Sequence, residues 1–266
     1  DQARSPTIAR PVASTGGAGR ITDQEGSGWN TLALKGIWRP HFHGGHIVDM
    51  GYQRESYKLR TEVSNATDWI NGGASSRFSA FNGNTELHSL YAQDTWGFAP
   101  AWKTTLGGRL EQWRAFGGER ANATTTVPFG EREETWFSPK AGIAFQAAPQ
   151  WALKASLGRA VRMPTVAELY QGTINHNNVI TNNNPDLKPE KAWVSEFTAE
   201  CDLGNGLLRA TLFHNDARDA LYSQPNMTVM PNVINVQNVE HVRTTGLELA
   251  FQANDLRLRA LAIEDA

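Results

Sequence analysis

The sequence predicts an all-β fold: an antiparallel up-and-down transmembrane β-barrel segment of about ten strands. Three observations lead to this fold class. Apolar and polar residues alternate with a period of two along most of the chain. The connections between the alternating segments are short and long in turn. Aromatic residues gather beside the short connections. This combination is typical of a barrel with short turns on one side of a membrane and long loops on the other.

Composition excludes several other classes of protein. The 266 residues carry a net charge of −2, so no basic field indicates a nucleic-acid partner. Mean hydropathy is −0.46 and no apolar run is long enough for a membrane-spanning helix. A spanning strand needs only about 9–11 residues, half of them apolar. Because Cys201 is the only cysteine, an internal disulfide and a cysteine metal cage are both excluded.

Residues 1–28 are rich in glycine and polar residues, and we expect them to form a flexible leader or loop. They contain no apolar segment of the kind found in a signal peptide. An exported protein needs one, so either it has been removed or, as we expect, the chain begins partway through a longer gene product. Residues 29–266 form the predicted barrel segment.

Alternation is clearest near the end of the chain, where Leu247, Leu249 and Phe251 alternate with Glu248 and Gln252. The apolar members are predicted to face lipid and the polar members the barrel interior. The same pattern predicts ten strands, at 30–38, 46–61, 86–98, 102–115, 135–147, 151–160, 191–203, 206–221, 236–253 and 256–263. The interior face would then carry Lys103, Arg109, Glu111, Lys154, Glu196 and Glu200.

The predicted connections separate into two kinds. Tight turns are expected at 99–101, 148–150, 204–205 and 254–255, where Pro, Gly or Asn occurs. Long polar loops are expected at 62–85, 117–134, 161–190 and 222–235, with one helical turn at 165–170. Beside the short turns lie the aromatic residues Phe98, Trp102, Phe145, Trp151 and Phe251, which we expect to form a girdle at the membrane interface. A soluble sandwich with Greek-key crossings has no reason to alternate turn lengths in this way.

Several segments, in the order expected, resemble the barrel of TonB-dependent outer-membrane receptors. They are a strand–turn–strand at 90–96 and 102–109, a hairpin at 137–142, an arginine-proline box at 158–165 continuing to 168–170, an Asn-Pro box at 184–190, and a later strand at 239–249. The resemblance implies a barrel of the 22-stranded, plugged type, of which ten strands are less than half. The plug domain and the TonB-contacting box are absent from this chain, and it ends without a terminal aromatic residue. The resemblance therefore implies an internal fragment of a receptor barrel.

The family implies a function in the bacterial outer membrane: uptake of a scarce ligand, with a ferric siderophore or other iron chelate favoured and haem as an alternative. The implied partners are that ligand, the lipid of the outer membrane, and the TonB complex acting through the missing N-terminal region. No cofactor is expected. Common enzyme signatures are absent from the sequence, so an enzyme is not predicted. Two other interpretations stay open: a non-transport outer-membrane barrel (an enzyme or an adhesin), and a soluble extracellular β-sandwich that binds glycans.

Candidate ligand-binding residues lie in the long loop 161–190, namely Arg162, Tyr170 and His176. In haem receptors of the family a histidine between the two boxes binds haem iron, so His176 becomes a haem-iron ligand if the substrate is haem. The boxes depart from the haem-receptor pattern at Val161, Met163 and Asp186, which weakens that assignment.

Two further groups of residues have structural interpretations. Arg162, Glu168, Lys188 and Glu190 are predicted to tie the base of the long loop to the barrel rim through ion pairs and hydrogen bonds. His41, His43 and His46 lie beside the first short connection and are interpreted as part of a solvated turn.

Overall fold

The computed structural model describes residues 2–8, 12, 14–40, 45–174, 180–181, 183–228 and 233–253. In these residues strands account for almost all of the regular structure, together with one short helix, α1 (Val166–Tyr170). The strands are β1 (Gln2–Pro6), β2 (Gly19–Asp23), β3 (Gly28–Trp38), β4 (His46–Ala66), β5 (Arg77–Ala99), β6 (Trp102–Asn122), β7 (Thr126–Pro128), β8 (Arg132–Ala148), β9 (Trp151–Arg162), β10 (Thr173–Ile174), β11 (Ile180–Thr181), β12 (Glu190–Asp202), β13 (Gly206–Asn226) and β14 (Val233–Ala253). No helix among the described residues is long and apolar enough to cross a membrane.

Twelve strands form one antiparallel sheet in the order β1-β2-β4-β5-β6-β8-β9-β12-β13-β14, with β3 beside β4 and β7 beside β6. Sequence neighbours are therefore neighbours in space, as a meander requires. The sheet is open, because neither β1 nor β3 pairs with β14 in the described ranges. The predicted all-β partial barrel is confirmed.

The tight turns at 99–101, 148–150 and 203–205 connect β5 to β6, β8 to β9 and β12 to β13. Since the strands alternate in direction, all three turns lie on the same rim, as predicted. Gly204 adopts a positive φ of 80°, which the last of these turns requires and glycine tolerates at no steric cost. The expected turn at 254–255 and strand at 256–263 lie outside the described residues.

The sheet has two chemically different faces. We call the face on which α1 packs the inner face; it carries Lys154, Arg109 and Glu111. The outer face exposes large apolar side chains, among them Leu106, Leu110, Phe137, Ile143, Leu157, Leu212, Leu247, Leu249 and Phe251. Exposed apolar groups at alternate positions are costly in water and favourable in lipid. The predicted side-chain orientation is confirmed.

On the side of the long loops, the strands of the structure are longer than the sequence predicted. Strand β4 continues to Ala66 and strand β5 begins at Arg77, so much of the expected loop 62–85 is strand. Strands β6, β13 and β14 extend in the same way into the expected loops 117–134 and 222–235. Outside the bilayer the outer face need not be apolar, so these extensions lack the alternation used to find strands.

The expectation of a flexible leader or loop at 1–28 is also corrected. Strands β1 and β2 lie within it and pair with each other, and β2 pairs with the upper part of β4. β3 pairs with the lower part of the same β4 edge. Gly19 approaches Trp69 so closely that a Cβ atom would overlap its side chain, which explains a glycine at the start of β2.

Candidate ligand-binding site

The loop that follows β9 folds over the inner face through a short, well-capped helix. Thr165 is the N-cap of α1, and its hydroxyl accepts a hydrogen bond from the Glu168 backbone N–H at 3.2 Å. Glu168 Oε2 accepts from the Thr165 backbone N–H at 2.8 Å, which completes a capping box. Arg162, the last residue of β9, donates from Nη2 to Glu168 Oε1 at 2.6 Å. This contact fixes the direction in which the chain leaves the sheet.

Glu168 is therefore held as a carboxylate. Burial favours its neutral form and would raise its pKa. Hydrogen bonds from Arg162 and Thr165, together with the positive charge of Arg162, outweigh that effect and lower the pKa of Glu168 below its usual value. The cap is consequently charged at neutral pH and stabilises α1.

Tyr170, the last residue of α1, is anchored in a core on the inner face, where it is 1% exposed. Its ring stacks on Phe129 with the centroids 5.8 Å apart. A Cβ atom on either Gly83 or Gly118 would overlap the ring, so both glycines are needed to make room for it. The strands carrying them, β5 and β6, shift register at this point, between Asn82 and Asn84. Burial raises the pKa of the Tyr170 hydroxyl.

The core around Tyr170 joins three strands to the loop. It comprises Leu59, Phe81, Trp113, Ala115, Val166, Leu169, Tyr170 and Leu187, with Leu87, Phe129, Met163, Leu221 and Val236 packed against it. Burial of this much apolar surface is a large stabilising contribution for a loop. The base of the loop is thus part of the folded wall.

The far end of the loop is tied down separately. Asn238 on β14 accepts from the Lys188 backbone N–H at 2.8 Å and donates to the Lys188 carbonyl at 2.9 Å. Glu190 accepts from the Leu221 backbone N–H at 2.9 Å, and Arg132 donates to the Pro185 carbonyl at 2.7 Å. The predicted role of Arg162, Glu168, Lys188 and Glu190 at the loop base is confirmed, although Lys188 acts through its backbone.

Beneath α1 lies a cavity of about 510 Å³. Its lining is mostly apolar and includes Trp113, Leu87, Met163 and Val166, with Glu55 and Tyr57 at one side. Trp113 is fully buried and also lies under the guanidinium of Arg132, 5.4 Å from the ring centroid. The arrangement can hold an apolar or aromatic group beside a few polar ones.

Below the level of α1 the inner face is polar, and several of its charges are paired. Arg109 bonds Glu111 at 3.0 Å and Gln53 at 3.1 Å. Lys154 and Arg209 both bond Glu200, at 2.6 and 3.0 Å. A second cavity, of about 490 Å³, lies against this wall. Such a surface suits contact with water or with another polar protein segment.

The predicted site residues have different surroundings. Arg162 is half-exposed and pairs with Glu168, whereas Tyr170 is a core residue. His176 lies outside the described residues, so ligand contacts by these three stay predictions. Sequence analysis missed Trp113, Gly83 and Gly118, because only the pairing of β5 with β6 brings them to Tyr170. His41 and His43 also lie outside the described ranges, and His46 stacks on Trp96 while bonding Asp94 at 2.7 Å. Within those ranges no group of three or more His, Cys, Asp or Glu residues is placed to hold a metal ion.

Two sequence comparisons bear on the chain. The family profile described as "TonB dependent receptor-like, beta-barrel" matches residues 4–263. An iron-regulated outer membrane virulence protein of Vibrio cholerae is 24% identical over 181 residues, which are 67% of this chain and 24% of that protein. The chain therefore spans about a quarter of the length of this curated relative.

Solved structures share the fold. The copper transporter OprC superposes with a TM-score of 0.67 at 19% identity, covering 90% of this chain and 37% of that chain. The ferric yersiniabactin uptake receptor FyuA from Yersinia pestis superposes with a TM-score of 0.57 at 13% identity, covering 89% of this chain and 34% of that chain. At these identities the likeness establishes the architecture and not the ligand.

Proposed function

The chain belongs to the family of TonB-dependent receptor β-barrels of the outer membrane, and on that premise we propose that it forms part of the wall of a receptor that imports an iron chelate. A ferric siderophore is the proposed ligand. The two interpretations without transport, an enzyme or adhesin barrel and a soluble glycan-binding sandwich, do not fit this family membership.

The proposal rests on one observation. The sheet has an apolar outer face and a charged inner face, and the base of a long loop packs on the inner face. A wall of this kind separates lipid from a polar interior. The cavity beneath α1, with the exposed ring of Tyr57 in its lining, offers a surface for the aromatic groups that many iron chelators carry. The names of the relatives, an iron-regulated protein and a ferric yersiniabactin uptake receptor, agree with an iron chelate.

The proposed partners follow from the family. Energy is supplied by the TonB complex, through a segment of the receptor outside this chain, and the outer face contacts outer-membrane lipid. Arg162 is the proposed ligand contact at the loop base, because its side chain is half-exposed. Tyr170 is proposed to act by positioning the loop.

Uptake measurements test the proposal. Iron-limited cells with and without the gene, in backgrounds with and without TonB, are supplied with radiolabelled ferric siderophores, haem or copper. We expect gene- and TonB-dependent accumulation of a ferric siderophore. Accumulation of none of these ligands would contradict the proposal.

A separate variant tests the alternative that the receptor imports haem. If haem is imported, His176→Ala should abolish haem-dependent growth while siderophore-dependent growth is unchanged, since an imidazole is a suitable axial ligand for haem iron. Haem-dependent growth of the His176→Ala cells equal to that of wild type removes His176 as a haem ligand.

A further inference from the structure

The inner face beneath α1 is ordered in rows by the pairing of β4 with β5 and of β5 with β6. Residues directly opposite each other on paired antiparallel strands point to the same face of the sheet. Counted from the short turns, three successive rows are Gln53-Ser89-Glu111, Glu55-Leu87-Trp113 and Tyr57-Thr85-Ala115. Most members of the second and third rows line the cavity of about 510 Å³. The register therefore brings one carboxylate, Glu55, to an otherwise mostly apolar wall.

The carboxylate of Glu55 has no cationic partner. It accepts hydrogen bonds from the side-chain amide of Gln53 and from the Tyr57 hydroxyl, the latter at 3.4 Å. It makes no ion pair with any residue that the structure describes. Glu86, the other acidic residue in the lining, is paired with Arg54. A carboxylate without a counterion beside apolar surface is costly unless a cation meets it.

Arginines of the neighbouring wall are already engaged with other carboxylates. Arg132, which lies over the Trp113 ring, pairs with Glu134 at 2.8 Å. Arg109 pairs with Glu111, in the row below the cavity, at 3.0 Å. The positive charge of these two side chains is thus used within the wall, and the negative charge in the cavity is left for a group that enters from outside.

Two exposed aromatic rings lie near this carboxylate. Tyr57 lines the cavity and is 39% exposed. Trp29 on β3 lies directly opposite Tyr57, so its ring is on the same face, and it is 71% exposed. The face of an aromatic ring attracts a cation. A carboxylate near two such rings has the chemistry that recognises an ammonium group.

We propose that the cavity beneath α1 takes an apolar arm of the imported chelate that ends in a protonated amine, and that Glu55 determines this specificity. A primary amine is protonated at neutral pH, as the lysine side chain is. Leu87, Met163 and Val166 offer apolar contacts to the methylene groups of the arm. The ammonium group then donates to the carboxylate beside Tyr57. This inference rests on the proposed function and narrows it to chelates that carry an amine.

Two ferric chelates that differ by one positive charge test the proposal. The first is a linear ferric trihydroxamate with a free primary amine, and the second is the same chelate after acetylation of that amine. Binding of each chelate, labelled with radioactive iron, is measured on cells that produce the full-length receptor. We expect the wild-type receptor to bind the amine-bearing chelate about tenfold more tightly, as one charge-assisted hydrogen bond implies.

Three variants locate the source of this preference. Glu55→Gln should weaken binding of the amine-bearing chelate about tenfold and leave binding of the acetylated chelate unchanged. Trp29→Leu should reduce the preference severalfold, because one aromatic face is lost. The matched control is Glu248→Gln, which removes the same charge from an exposed inner-face position of β14 and should keep the full preference. Equal amounts of receptor in the outer membrane show that each variant is assembled.

Several results would overturn this inference and leave the import of an iron chelate intact. They are equal affinities of the two chelates for the wild-type receptor, a preference that persists in Glu55→Gln, an equal loss of preference in Glu248→Gln, and binding of an anionic ferric triscatecholate in place of both chelates. Binding of no ferric chelate at all would instead overturn the proposed function, and this inference with it.

Discussion

At the scale of single residues, the charge on Glu168 makes the stability of the loop base depend on pH. Its folded-state pKa is lowered, despite the opposing effect of burial, by Arg162 and Thr165. The stabilisation is therefore fully present above the unfolded pKa of about 4.3 and is lost as the pH falls through the folded value. We expect hydrogen-exchange protection of the Leu169 and Gln171 amides to fall as the pH is lowered from about 5.

Glu168→Gln should remove this dependence, because an amide does not titrate. Protection in that variant would be lower at neutral pH and nearly constant down to acid conditions. Glu25→Gln, on the exposed turn after β2, is the control and should keep the wild-type slope. A slope in Glu168→Gln equal to that of wild type would show that another group is responsible.

A substitution at Gly83 tests the packing of Tyr170 separately from the charge on Glu168. Gly83→Ala places a methyl group against the aromatic ring, and overpacking of this kind costs about 1–3 kcal/mol. The matched control is Gly73→Ala, where a Cβ atom meets no neighbouring atom. The free energy of unfolding in urea, measured in micelles, should fall for the first variant only.

A double-mutant cycle completes that test. In a Tyr170→Ala background the cost of Gly83→Ala should largely disappear, because the ring it meets is gone. A cost that persists in this background would place the strain elsewhere in β5.

At the scale of elements, the sequence was informative wherever one face of a strand must meet lipid. Leu247, Leu249 and Phe251 alternate with polar residues for that reason, and their orientation could be predicted. Above the membrane the constraint ends: Ser64 and Ser79 are buried polar residues in strand extensions that alternation does not reveal. The burial of Tyr170 was also out of reach, because it depends on Gly83 and Gly118 meeting across a register shift. What could be predicted of the site was its position in the loop and the contacts at its base.

The lipid-facing role of the outer face can be measured strand by strand. Leu247, 60% exposed, lies on the outer face opposite Leu212 of β13, between the short turns and the charged end of the strand. Leu247→Arg should destabilise the folded protein in lipid vesicles by about 2–4 kcal/mol, the cost of a charge near the bilayer midplane. Glu248→Arg, one residue further along on the inner face, should be tolerated in the same urea titration. Equal effects of the two substitutions would contradict the assignment of faces.

At the scale of the whole molecule, the sheet has free edges in its described part, on β1 and β3 at one end and on β14 at the other. Unpaired backbone donors and acceptors at such edges pair readily with other strands. We expect the 266-residue chain, produced alone in micelles, to associate in a concentration-dependent way in sedimentation experiments. Lysines at Thr31 and Ala33 on β3 should weaken the association, whereas Ser156→Lys on the central strand β9 should not. A chain that stays monomeric at every concentration would show that the edges are protected.

The loop between Tyr170 and Leu187 is held at both ends by buried side chains. Fixing both ends removes much of the conformational freedom that a loop of this length would otherwise have. In the receptor proposed above, capture of a ligand by this loop would then spend less of its binding free energy on ordering the chain. A receptor for a scarce solute gains affinity in this way without adding a single contact to the ligand. Loosening either anchor should therefore weaken ligand binding through entropy alone, even where no contacting residue is changed.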